Sequence, residues 1–195
     1  MTDPAGSILV IGIGNLLWAD EGFGVRCVEA FDAAYVVPPG MRVLDGGTQG
    51  LYLLPYVTEA RKMVIFDAID FGLPPGTLRV LENGEVPAFM GAKKMSLHQT
   101  GFQDVLAAAR LLGRFPEELV LIGCQPVELD DYGGSLRNEV KAQIAPALRL
   151  AHDWLRARAI VLATRDATPA RALNPAGLAI DAYESGRAQR RAPDL

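Results

Sequence analysis

Ser7-Ile8-Leu9-Val10-Ile11-Gly12-Ile13-Gly14-Asn15, followed by Asp20-Glu21-Gly22-Phe23-Gly24, is the stretch that decides the fold of this chain. Its first five residues form a short, nearly continuous apolar run stopped by Gly12, the pattern of a strand buried on both faces. Past the glycine turn, Phe23, Val25, Cys27, Val28 and Phe31 recur at helical spacing, which predicts a helix from Asp20 to about Tyr35. Asp20 is placed to cap that helix, with Glu21 in its first turn. A buried strand that feeds a helix through a glycine turn opens a parallel α/β sheet.

Reading outward, the same alternation repeats. Arg42-Val43-Leu44-Asp45 is a second strand closed by Gly46-Gly47, and Leu51 to Val57 is a short helix bent at Pro55. Lys62 to Ile69 reads as the third strand. Thr77-Leu78-Arg79-Val80-Leu81 follows Pro74-Pro75-Gly76 with too little chain for a crossover helix, so it is expected antiparallel. Thr100-Gly101-Phe102-Gln103 carries a capping-box pattern and opens a helix to about Leu112. Leu119 to Gly123 is the last strand, and Leu136 to Ile160 a long helix with a kink or break at Pro146. This order predicts an α/β fold, a three-layer α/β/α sandwich on a mostly parallel sheet. Residues 1–162 are expected to form one domain. Residues 163–195, rich in Ala, Arg, Pro and Gly with weak periodicity, are expected to be a poorly ordered tail.

With 195 residues, half of them hydrophobic, the chain can bury a full core. A net charge of −4 without a clustered basic face argues against nucleic-acid binding. No apolar run approaches the ~18 residues needed to span a bilayer, so no membrane role is expected. Met1-Thr2-Asp3-Pro4-Ala5 does not read as the start of a signal peptide, and two cysteines, Cys27 and Cys124, do not make a disulfide framework. A cytoplasmic location is the expectation.

If the first strand is central, the second and third flank it, and a switch point opens between the first and third. Polar residues at strand ends then converge where α/β proteins place their chemistry. Glu21, Asp67 and His98 are the candidates, and two carboxylates with an imidazole make a metal-ligand set. Each also has a structural reading. Glu21 complements a helix dipole, Asp67 caps the turn after its strand, and His98 is an ordinary loop histidine near Lys93, Lys94 and Ser96. Asp45 either caps the Gly46-Gly47-Thr48 turn or orients water or substrate. His152, among Leu148, Ala151 and Leu155, reads as packing, and so do both cysteines. Gly12-Ile13-Gly14 begins a dinucleotide fingerprint, but Leu17 stands where the third glycine belongs. Asp20 and Glu21 would also repel a pyrophosphate at the helix start.

Together, Gly12-Ile13-Gly14-Asn15, Asp20-Glu21-Gly22-Phe23-Gly24, Asp45-Gly46-Gly47-Thr48-Gln49-Gly50, Asp67-Ala68-Ile69 and Ser96-Leu97-His98-Gln99 with Gly101 resemble the hydrogenase maturation endopeptidases. These trim the C-terminus of the nickel–iron ([NiFe]) hydrogenase large subunit. The resemblance runs from Ile8 to about Ala159. It implies a five-stranded twisted sheet between helix layers with one antiparallel strand. It implies Glu21, Asp67 and His98 as metal-binding residues, with Asp45 a further acid near the cleft, and Asp45, Glu21 and Asp67 as the groups available for catalysis. It also implies nickel supplied by the substrate, no organic cofactor, and the large-subunit precursor as partner. A stand-alone zinc-type metallohydrolase and a non-enzymatic nickel-binding chaperone remain as rival readings.

Overall fold

All six residues of strand β1 (Ile8–Ile13) are buried, as its uninterrupted apolar run requires. In the computed structural model, which describes residues 7–92, 97–166 and 173–191 and the side chains of 7–88, 101–166 and 173–185, β1 leads through a 3-10 turn (Ala19–Gly22) into helix α1 (Phe23–Ala34). A two-residue strand β2 (Tyr35–Val36) precedes β3 (Met41–Gly47). A second 3-10 turn (Gly50–Leu53) runs into α2 (Leu54–Glu59), where Pro55 sits in the first turn and its missing N–H breaks no helical bond. Strand β4 (Lys62–Ala68) is followed by β5 (Leu78–Glu82), then α3 (Glu85–Ala92) and α4 (Leu97–Leu111). Strand β6 (Glu118–Cys124), helices α5 (Asn138–Lys141) and α6 (Ile144–Arg156), strand β7 (Ala163–Thr164) and helix α7 (Ile180–Arg191) complete the order.

The main sheet has the strand order β3-β1-β4-β6-β5, parallel except for the edge strand β5, which pairs antiparallel with β6. Alternation along each strand divides the core in two. Val10, Val64, Phe66, Val120 and Ile122 pack against Phe23, Val28 and Phe31 of α1 and Ala151 and Leu155 of α6. Leu9, Ile11, Ile13, Met63 and Ile65 pack on the other face against Val57 of α2 and Phe102, Val105 and Leu106 of α4. Each fully buried side chain of this size stabilises the fold by ~1.5–3 kcal/mol. The three layers and the antiparallel edge are those expected from the sequence.

Helix boundaries differ in three places. The helix expected from Asp20 begins at Phe23, with Gly22 as its N-cap and no side-chain cap. Asp20 is fully buried and its carboxylate is used by a distant loop instead. The helix expected from Thr100 begins at Leu97, which puts His98 in a first helical turn rather than a loop. The long final helix is two, α5 and α6, separated before Pro146, which lies in the first turn of α6. The expected tail carries structure where it is described: β7 pairs with β2, and Leu173 and Ile180 are partly buried against the core cluster to which α1 and α6 contribute. Residues 1–6, 93–96, 167–172 and 192–195, including Lys93, Lys94 and Ser96, lie outside the described residues.

Candidate active site

Strand register sets the site. Gly12 of β1 pairs with Asp45 on one side and Phe66 on the other, and Asp67 pairs with Gly123 of β6. Asp45 and Asp67 therefore stand at the carboxyl ends of the two strands that flank β1. They do not share a face. Asp67 falls in step with Met63 and Ile65, toward α2 and α4, whereas Asp45 falls in step with Met41 and Val43, toward α1.

The 3-10 turn that carries Glu21 lies across the ends of β1 and β4, pressed down by close backbone contact. A Cβ on Gly24 would stand 2.2 Å from the carbonyl oxygen of Phe66 and 2.3 Å from that of Ile13. Gly14, at φ +138°, leaves no room for a side chain: a Cβ there would stand 1.8 Å from the Glu21 carbonyl oxygen. The Asn15 N–H donates to that same oxygen at 3.2 Å. These glycines serve strand–helix packing, which accounts for the glycine-rich turn. Glu21 is half-buried, and Asp67 is 1% exposed.

His98 reaches this edge through its helix. Three residues after His98, a Cβ on Gly101 would stand 3.5 Å from Gly50 Cα, so α4 begins against the turn that follows β3. The His98 side chain lies outside the described residues. Among the described residues no group of three or more His, Cys, Asp or Glu side chains is gathered as a metal cage, and the expected trio includes that histidine.

Asp45 has surroundings of its own. Its Oδ1 is buried and accepts no hydrogen bond among the described residues. Burial pushes its carboxyl above the ordinary aspartate range; the Asn174 amide opposes this, the nearby Glu29 charge adds to it, and the Gly47 N–H and Arg26 oppose it. The thiols are unsuited to nucleophilic work. Burial, with a contribution from Asp20, pushes Cys124 up to about 12, and burial drives Cys27 up as well.

Three groups around the crevice carry no signal in the sequence. The Asp20 carboxylate accepts from the backbone N–H of Val127 (2.8 Å), Glu128 (2.9 Å) and Arg137 (2.7 Å), fixing the loop after β6 beside Glu21. Gln125 accepts from the N–H of Phe71 (2.7 Å) and Leu73 (3.1 Å) and donates to Asp70 Oδ1 (3.0 Å), fixing the loop after Asp67. Arg26, 4% exposed, donates to Glu29 Oε2 at 2.8 Å and to the Leu178 carbonyl. Only its place within an apolar helical row could have marked Arg26 out.

The α/β/α sandwich thus sets one carboxylate at the carboxyl end of each parallel strand that flanks β1, with the Glu21 turn across the ends of β1 and β4. Residues 25–154 match the hydrogenase maturation protease family, and the chain belongs to it. It is 59% identical over 187 residues to the hydrogenase expression/formation protein HoxM of Azotobacter vinelandii, covering 96% of this chain and 89% of that one. It is 42% identical over 161 residues to the hydrogenase 2 maturation protease of Escherichia coli K12, covering 82% and 97%. The structure of the hydrogenase maturating endopeptidase HybD from E. coli superposes with a TM-score of 0.77 at 41% identity, covering 82% of this chain and 98% of that one. The chain is a hydrogenase maturation endopeptidase, a hydrolase. The family match ends at Trp154, whereas the Azotobacter alignment is long enough to take in most of the C-terminal segment.

Proposed function

We propose that this endopeptidase removes the C-terminal extension of the nickel–iron hydrogenase large-subunit precursor, and that it does so only when the precursor carries nickel. The observation that supports this best is the meeting of Asp67, nearly fully buried at the end of β4, with the Glu21 turn at the β1–β4 switch point. Two carboxylates and an imidazole are oxygen and nitrogen donors that a divalent nickel ion accepts. The metal is part of the substrate. Nickel held by substrate thiolates has coordination positions that Glu21, Asp67 and His98 would fill. Docking of these groups would draw the scissile peptide across the crevice.

The rim suits a polypeptide. Leu51 is 60% and Tyr52 84% exposed on the turn after β3, while Trp18 packs edge-on against the exposed Tyr132 at 5.3 Å on the other side. Tyrosine and tryptophan are favoured at protein interfaces. For the chemical step, a water attacks the scissile carbonyl and a carboxylate takes its proton. Asp45 suits that base, since a raised carboxyl pKa brings proton affinity closer to the working pH. The metal, when bound, would polarise the carbonyl or acidify the water.

Among the described residues no helix is long and apolar enough to cross a membrane. Buried free thiols at Cys27 and Cys124 fit a cytoplasmic setting. The test is to incubate the protein with nickel-loaded and nickel-free precursor and to weigh the products by mass spectrometry. Cleavage of the loaded form alone is expected. Equal cleavage of both, or binding without any change of mass, would overturn the proposal.

A further inference from the structure

The segment beyond the family match is fastened to the site at two points. At the first, Asn174 Nδ2 donates to Glu29 Oε1 at 2.8 Å, and the buried Arg26 bridges the other Glu29 oxygen to the Leu178 carbonyl. This ties the segment to α1 through Glu29 and Arg26. Arg165 adds a bond from Nε to the Asp32 carbonyl at 3.0 Å. At the second point, Glu184 accepts from Ser135 Oγ at 2.8 Å and from Lys141 Nζ at 3.0 and 3.1 Å. Tyr183 beside it is 7% exposed. Ser135 belongs to the loop whose Val127, Glu128 and Arg137 amides bind Asp20, next in sequence to Glu21. That loop is thus held from the crevice side by Asp20 and from the outside by Glu184.

We propose that residues 173–185 are a brace for the active site, in which Glu184, bonded to Ser135 and Lys141, positions the loop that supports Glu21, and Asn174 anchors the segment to α1 through Glu29. The proposal rests on the functional reading above. Groups acting through such a brace hold reactive atoms in place, and small displacements there cost rate more than binding.

The test uses the full chain with Asn174→Ala, Glu184→Ala and Glu184→Gln, assayed on nickel-loaded precursor, with thermal melting alongside. Asn174→Ala, which cuts the anchor to Glu29, is expected to lower kcat about threefold with KM held within about twofold. Glu184→Ala is expected to lower kcat about fivefold, and Glu184→Gln, which keeps an acceptor for Ser135 and Lys141, to restore most of it. An unchanged kcat for Glu184→Ala, or rate losses that only follow the melting temperature without rescue by glutamine, overturns the brace. If the wild-type chain leaves the loaded precursor uncut, it is the functional reading that fails.

Discussion

The carboxylate of Asp20 accepts a hydrogen bond from the backbone N–H of Arg137 at 2.7 Å, across 117 positions of sequence. The same carboxylate holds Val127 and Glu128, so one buried side chain joins the turn carrying Glu21 to the loop after β6. Nothing local competes with three charge-assisted bonds of this kind.

Replacing Asp20 should therefore damage the fold and the site together. Asp20→Ala leaves three backbone donors without their acceptor and is expected to cost about 3–5 kcal/mol in urea unfolding. Asp20→Asn keeps one acceptor oxygen but sets an NH2 against backbone N–H groups, and is expected to cost about 2 kcal/mol. An asparagine variant as stable as wild type would show that the charge contributes nothing there.

The Glu21 turn depends equally on what is missing from Gly24. An alanine methyl would have to displace the carbonyls of Phe66 and Ile13, both backbone atoms in the sheet centre. Gly24→Ala is expected to destabilise by at least ~2–3 kcal/mol, with the turn lifted off β4. Equilibrium unfolding measures the cost, and loss of precursor processing in the fraction that remains folded reports the lifted turn.

Charge removal at the candidate ligands should separate function from stability. Glu21→Gln and Asp67→Asn keep the shape of their side chains and His98→Gln replaces the imidazole with an uncharged amide of similar length, so melting temperatures are expected to stay within a few degrees of wild type. Processing of nickel-loaded precursor is expected to fall below detection for each. Full processing by any one variant would remove that residue from the metal-facing set.

Much of this architecture can be read from residue patterns, because central parallel strands leave an unbroken apolar signature. Ile8 to Ile11, Met63 to Phe66 and Leu119 to Ile122 announce themselves, and the short link through Pro74-Pro75-Gly76 gives away the antiparallel β5. What pattern does not carry is partner choice for polar groups. Asp20 looks like a local cap because Ser, Asp and Asn before an apolar helical row usually are one. Its real partners lie more than a hundred residues away. The segment after Ala163 looks unstructured because its attachments run through Asn174, Leu178 and Glu184 one at a time, with no period for a reader to detect. The site is legible as strand ends, but the face on which each acid lies depends on register. The shift between Gly12 and Ile13 in the pairing of β1 with β3 is invisible in composition.

Asp45 offers the sharpest contrast between stability and activity. Burial raises its carboxyl pKa above the unfolded value, so the folded chain holds that proton more tightly than the unfolded chain does. The sign then follows. Below the unfolded value both states are protonated and the group has no effect. As pH climbs through the unfolded and then the folded pKa, ionising the buried carboxyl costs stability, and above the folded pKa the cost is complete. Asp45→Asn removes that cost, so it is expected to make the protein more stable than wild type at pH 7, by a margin that solvent screening of this part-exposed group keeps small, with the advantage lost as pH falls through the ordinary aspartate range. The amide cannot accept the proton of an attacking water, so processing should fall by about 100-fold or more. Urea unfolding at pH 4 and pH 7, paired with the precursor assay, tests both halves. An asparagine variant less stable at pH 7 than wild type would mean that the Gly47 N–H, Asn174 and Arg26 outweigh burial, and that the carboxylate sits there as a structural anion.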